Sequence, residues 1–196
     1  PGKGFFGTIL TLPLIRAPIM VGSVWKLMIT PSIGVIPHYL DEWFGFTMNM
    51  GTSAPAAFAT IVIMDIWHWT PLVTLTLMAA LVSLPADPFE QAQIDGAGKA
   101  QTFWHITLPM IAPAVVATVF IRLMDALRTV DEVWMLTGGG PGSATRFLGV
   151  HIFKEVFPKT NYGYGSTISV IVLYLTIVAC WLLYVTMLAP RQTKRS

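Results

Sequence analysis

The chain has 196 residues, of which 54% are apolar and only 11% charged, with a mean hydropathy of +0.65 and a formal net charge of +2. Soluble domains carry roughly 25% charged residues, so this chain lacks the polar surface to cover a water-soluble globule, and lipid is the expected solvent for much of it. The small net charge says nothing about nucleic acid, but no basic run has the density expected of a phosphate-binding surface, so no nucleic-acid partner is expected.

A membrane-crossing helix needs about 20 mostly apolar residues, and four stretches qualify: 5–29, 57–84, 110–136 and 166–188. Strands of a membrane barrel would alternate apolar and polar positions. IVLYLTIVACWLLYVTML does not alternate, so the expected fold class is an all-α membrane protein, one transmembrane domain over 1–196. Pro13, Pro18, Pro71 and Pro113 fall inside or near the spans and predict kinks, which bundles tolerate because neighbouring groups satisfy the freed carbonyls. The chain begins with Pro1 and no signal-peptide pattern precedes the first span, so the natural N-terminus is expected to lie upstream. Cys180, the single cysteine, sits in an apolar run and is expected to be a small core residue.

Four spans put the N-terminus, the 85–109 loop and the C-terminal tail on one side. Lys3, Lys99, Arg191, Lys194 and Arg195 fall there, against Arg146, Lys154 and Lys159 on the other side. This excess predicts that the 85–109 loop and the tail are cytoplasmic, with the loops over 31–56 and 137–165 facing outward.

Within LPADPFEQAQIDGAGKAQTFWHITLP several helix signals agree. Asp87 is a good N-cap, Pro88 suits the first helical position, and Glu90 three residues after Asp87 completes a capping box. Helical spacing puts Phe89, Ala92, Gln93 and Gly96 on one face. Gly96 and Gly98 permit a change of direction, a second short helix, KAQTFWHIT, follows, and Pro109 opens the third span. A plain connection between antiparallel helices needs only a few residues. This one uses about 25, arranged as helix, glycines, helix, which suits docking of a partner better than simple linkage.

Within the third span lie Arg122, Asp125, Arg128, Asp131 and Glu132. Intramembrane charges face protein or a water-filled cavity. The spacings 122/125, 125/128 and 128/132 bring opposite charges together on a helix, so the set is expected to neutralise itself largely by pairing. Asp125, Arg128 and Asp131 are the candidates for lining a solute pathway. Asp65 with Trp67 and Trp69 is a weaker candidate, because tryptophans near an interface more often anchor depth. TGGGPGSAT lacks the G-x-x-x-x-G-K-[ST] phosphate cradle and reads as a tight outer turn. His38, His68, His105 and His151 show no metal-ligand spacing, so no metal site is expected. Asn161, Tyr162 and Tyr164 in FPKTNYGYGS read as an ordinary outer loop, with contact to a binding protein as the functional alternative.

The residues Glu90-x-Ala92, then Gly96 after three residues, then Ile106-x-Leu108-Pro109 after nine, resemble the EAA loop of ABC transporter permeases, E-A-A-x3-G-x9-I-x-L-P. Gln91 is the one departure from that pattern. IDGAG is similar to the continuation common in sugar importers. VWKLMITPSIGVIPHYL resembles the outer end of the third of six family helices, DIWHWTPLVTLTLMAALVSLP the fourth, and FIRLMDALRTVDEVWMLTGGGPGSAT the fifth with its following loop. That loop is typical of the first permease subunit of maltose-type and glycerol-phosphate-type importers.

The resemblance implies the kinked bundle of a type I ABC importer permease, four spans of a family core of six, in a bacterial or archaeal inner membrane. It implies a sister permease forming a heterodimer, two ATP-binding subunits, and an extracytoplasmic solute-binding protein. Glu90, Ala92, Gly96, Ile106, Leu108 and Pro109 would form the coupling loop. Any ATP and magnesium would sit on the ATPase subunits, leaving this chain with no cofactor and no catalytic residue of its own. The expected solute is a sugar, with glycerol phosphate or another non-sugar as the alternative. The rival from another class is a membrane-embedded enzyme using the 122–132 charges. Mutually paired charges argue against it, since catalytic acids sit in perturbed, unpaired sites.

Overall fold

The computed structural model describes residues 13, 16–45 and 49–187. Their order is α1 (Pro18–Ile29), α2 (Val35–Phe44), α3 (Ala54–Val82), α4 (Asp87–Ile94), α5 (Lys99–Arg128), α6 (Asp131–Thr137), α7 (Leu148–Val156) and α8 (Tyr162–Met187). No strand occurs among the described residues.

Among the described residues, three helices are long and apolar enough to cross a membrane: α3, α5 and α8. The second and fourth expected spans are therefore present as α3 and α8, with Leu188 outside the described residues. Of the first expected span, 5–12 and 14–15 lie outside the described residues, and the described part contains the 12-residue apolar helix α1. The cationic tail residues Arg191, Lys194 and Arg195, and Lys3, also lie outside them.

The third span departs from expectation at both ends. It starts early, because KAQTFWHIT is not a separate helix but the first part of α5. The join is a π turn over Phe103–Thr107, in which Leu108 N–H donates to the Phe103 carbonyl. Pro109 has no N–H and its ring crowds the carbonyl four residues back; a wide turn immediately before it is a usual accommodation. The span also ends early. Thr129 (φ −58°, ψ 120°) and Val130 (φ −127°, ψ −59°) leave the helical region, and α6 sets off separately at Asp131.

The prolines inside spans do not end them. α3 continues through Pro71 and α5 through Pro113. Beside Pro71, the Thr70 hydroxyl donates to the Ile66 carbonyl at 2.5 Å. Thr76, Thr118 and Thr176 likewise donate to the carbonyl four residues back, at 2.8 Å in each case. Such bonds satisfy hydroxyls where no water reaches them.

The core forms where α1, α3, α6 and α7 meet. Val21, Ile61, Met64, Val133, Leu136 and Val150 are buried together, with Trp25, Met50, Trp134 and Phe147 packed against them. Gly22 lets α1 approach α6 closely, since a Cβ there would stand 2.6 Å from the Glu132 carbonyl oxygen. α5 packs against α3 and α8, and α8 also against α7. α8 buries almost nothing else within the chain, leaving an apolar surface for lipid or another helix. Cys180 on α8 is half-buried rather than a core residue.

The TGGGPGSAT segment is a tight turn, as expected. Thr145 is fully buried within it, donating to the Gly140 carbonyl at 2.6 Å and lying 2.7 Å from the Thr137 hydroxyl. Asn161, Tyr162 and Tyr164 are exposed at the start of α8.

Candidate functional site

The polar loop is built as helix, turn, helix. α4 begins one residue earlier than its sequence signals indicate. Ala86 is already helical (φ −75°, ψ −32°), so Asp87 lies within the first turn and makes no side-chain cap. The expected capping box is thus absent, and Asp87 and Glu90 act instead as first-turn acids at the positive end of the helix dipole.

The C-terminus of α4 is a full Schellman motif. Gly96 takes φ +72°, its N–H donates to the Gln93 carbonyl at 3.1 Å, and Ala97 N–H donates to the Ala92 carbonyl at 2.9 Å. A Cβ at Gly96 would meet nothing within 4 Å, so the glycine is there for its backbone angle and not for space. α5 then starts at Lys99, and the Gln101 side-chain oxygen accepts the Gly98 N–H at 3.0 Å.

This places the expected coupling residues as follows. Ala92 is buried at 4% exposure, while Glu90, Gln91 and Gly96 are exposed. Ile106 and Leu108 are half-buried on the π turn and just after it, and Pro109 is exposed. The face expected to hold Phe89, Ala92, Gln93 and Gly96 is divided. Phe89 and Gln93 line a cleft of about 430 Å³ against Lys99, Thr102, Phe103 and Thr107, while Ala92 packs inward and Gly96 stays open.

A second polar site lies at the break between α5 and α6. A cavity of about 160 Å³ is lined by Trp69, Asp125, Arg128, Thr129, Asp131 and Glu132, among others. All three residues expected to face a pathway therefore meet at one cavity. Arg128 and Asp131 are exposed and Asp125 is half-buried.

The charge pairing is only partly as expected. Arg122 bonds Asp125 at 2.9 Å, one turn along α5. It also bonds Asp65 of α3 at 2.6 Å and lies over the Trp69 ring at 4.5 Å. Asp65 and Trp69 thus belong to an interhelical network. The expected 125/128 and 128/132 contacts do not form: Asp125 pairs with Arg122 instead, and the helix that would align 128 with 132 ends at Arg128. Glu132 instead pairs with His68 of α3, both almost fully buried. Scattered spacing hid His68. The signal available in sequence was a histidine one turn after Asp65 in an otherwise apolar run.

Over residues 3–194 the chain matches the family described as "Binding-protein-dependent transport system inner membrane component". Among curated relatives, it is 36% identical over 176 residues to the trehalose/maltose transport system permease protein MalF of Thermococcus litoralis, covering 90% of this chain and 59% of that one. It is 33% identical over 178 residues to the sn-glycerol-3-phosphate transport system permease protein UgpA of Escherichia coli, covering 90% and 60%. The chain thus spans about three fifths of the length of these relatives. Among solved structures, a chain of a bacterial ABC transporter that imports the acidic polysaccharide alginate superposes with a TM-score of 0.82 at 21% identity, covering 95% of this chain and 67% of that one. That likeness shows the fold, the helical bundle of an ABC importer permease. Together with the match over nearly its whole length, it follows that this chain belongs to the family of binding-protein-dependent transport system inner membrane components.

Proposed function

We propose that this chain is a permease subunit of an ATP-driven importer, non-enzymatic in itself, with the 85–109 segment coupling it to a cytoplasmic ATPase. The observation that carries this reading is the α4–α5 element: a polar helix closed by a Schellman turn, with Glu90 and Gln91 facing outward and Ala92 packed inward. Glu90, Ala92, Gly96, Ile106, Leu108 and Pro109 are its coupling residues. Ala92 and Gly96 shape the element, and Glu90 is free to meet the partner. Gln91 is exposed, so an amide at that position requires nothing of this chain's own packing.

The transporter would comprise this chain, a sister permease, two ATP-binding subunits and an extracytoplasmic solute-binding protein. A solved relative is an alginate transporter in complex with an alginate pentasaccharide-bound periplasmic protein, which supports the last of these. The loop and C-terminus would face the cytoplasm. ATP-driven closure of the ATPases would act by favouring one of two permease states through differential contacts.

The proposed solute is a carbohydrate, since relatives include a trehalose/maltose permease and a multiple sugar permease. The glycerol-phosphate relative makes a phosphorylated polyol the second candidate. Asp125, Arg128 and Asp131 would meet the solute at the α5–α6 cavity, carboxylates accepting from hydroxyls and the guanidinium donating. Co-expression with its ATPase tests the coupling reading. The ATPase should co-purify, and Glu90→Ala or Gly96→Val should release it while the permease pair stays assembled. Retention by both variants would refute the assigned loop.

A further inference from the structure

The break between α5 and α6 is held from three sides. From α7, Gly149 packs against it so closely that a Cβ would stand 2.7 Å from Val130 Cγ2 and 2.9 Å from the Thr129 carbonyl oxygen. From α1, Gly22 lies against the Glu132 backbone. From α3, His68 Nδ1 bonds Glu132 Oε1. Only the third of these is a polar side-chain bond, and it crosses 64 positions of sequence. His68 is 2% exposed and Glu132 3%. The other carboxylate oxygen, Oε2, is buried with no hydrogen-bond partner. Burying a carboxylate and an imidazole is costly, and apolar residues of similar size often serve stability as well or better. A stability role alone therefore does not account for the pair. Its neighbours do. Asp131 directly precedes Glu132, Arg128 lies four residues before it, and both line the cavity.

We propose that His68 and Glu132 are positioning residues: their buried bond sets the direction in which α6 leaves the Thr129–Val130 break, and so presents Asp131 and Arg128 to the cavity. This rests on the reading of that cavity as part of the solute pathway. The backbone at the break supplies little direction of its own. α6 has no side-chain N-cap, and its first bonds begin with Trp134 N–H to the Val130 carbonyl at 2.8 Å. With Glu132 released from His68, the only directed side-chain tie among the described residues between α3 and the first turn of α6 is lost. The apolar contacts of Val133 and Leu136 would keep α6 in place without fixing its first turn.

The test uses the assembled transporter in proteoliposomes. In a Cys180→Ser background, Asp131→Cys supplies a reporter thiol, and its labelling by a charged maleimide is timed as the excess over the same complex with Asp131 intact. His68→Ala should shift that rate about fivefold or more, and His68→Asn, whose amide nitrogen takes the place of Nδ1, should restore it. A purely structural role would lower the yield of complex and leave the rate in the assembled fraction unchanged; an unchanged rate overturns the proposal. If His68→Ala does not assemble, His68→Leu, which fills the space without the bond, carries the same comparison. Uptake of labelled maltose, trehalose and sn-glycerol 3-phosphate is measured separately with Asp131 intact. A KM raised about tenfold with the ATPase rate retained supports both readings. Labelling that shifts while uptake kinetics stay constant leaves the positioning role standing and removes the pathway reading.

Discussion

Gly22 of α1 lies directly beneath Glu132 of α6: a Cβ at Gly22 would stand 2.6 Å from the Glu132 carbonyl oxygen and 2.9 Å from the Met135 Cβ. Both obstacles are backbone or backbone-proximal, so no flexible side chain can yield. Gly22→Ala should therefore destabilise the chain despite alanine's better helix propensity, by about 1–3 kcal/mol, with Gly22→Val worse. Thermal unfolding of the detergent-solubilised complex measures this. A melting temperature that rose in Gly22→Ala would contradict the close approach of α1 and α6.

Gly96 offers the opposite case. Its Cβ would meet open space, and only the φ of +72° resists substitution. Gly96→Ala should cost about 1–2 kcal/mol of local backbone strain, and Gly96→Asn less, because asparagine tolerates the left-handed region. The readout is solute-stimulated ATP hydrolysis by the reconstituted complex, with Asn expected to retain more activity than Ala, and Val least. Equal activity in all three would mean that the Schellman turn has no part in coupling.

Arg122 ties α3 to α5 through Asp65 and Asp125. Arg122→Ala leaves two half-buried carboxylates facing each other. It should destabilise by a few kcal/mol, near the lower end of the range for breaking a buried pair because both acids are about one-third exposed. Arg122→Lys, a point charge unable to bridge both acids in the same geometry, should fall between. The triple change Asp65→Asn, Asp125→Asn and Arg122→Gln should recover part of the loss. Melting temperatures of the series provide the comparison.

Just past the end of α7, Lys159 Nζ donates to Glu155 Oε1 at 2.6 Å, and this bond holds the Glu155 carboxyl below its ordinary pKa; the Lys159 charge, with smaller effects of His151 and Arg146, acts the same way. A carboxylate with a depressed folded-state pKa adds stability above its unfolded pKa of about 4.3, and that stability is lost as pH falls through the lower folded value. Glu155→Gln should therefore melt below wild type at pH 6, with the gap closing as pH falls below about 4.3. A gap that widened on acidification would reverse the sign of the linkage.

Much of this architecture was legible in the sequence because its signals were local. Composition placed the chain in lipid, the apolar runs located α3 and α8 to within a few residues, and fixed spacing from Glu90 to Pro109 picked out the loop. What escaped was set by contacts between distant segments. VWML continues the apolar pattern of α5, so nothing at Thr129–Val130 announces an end, and neither residue is glycine or proline. The break is held by Gly22, Gly149 and His68, all far away in sequence. The same break voids the expected 128/132 pair, and only the fold reveals that Glu132 belongs to His68. Asp87 misled by one position because Ala86, unremarkable in composition, is already helical.

The π turn at Phe103–Thr107 puts the loop and the span out of helical phase. An ordinary helix advances about 100° per residue, and the wide turn absorbs one residue without that advance. The nine residues between Gly96 and Ile106 are therefore a count of chain length and not of turns. Deleting one residue within Phe103–Thr107 would restore a continuous α-helix and leave Lys99–Thr102, with α4 attached, at nearly the same angle around the axis of α5. Winding the same five residues as ordinary α-helix, with none removed, would instead turn the docking element about 100° and aim it at the wrong quadrant.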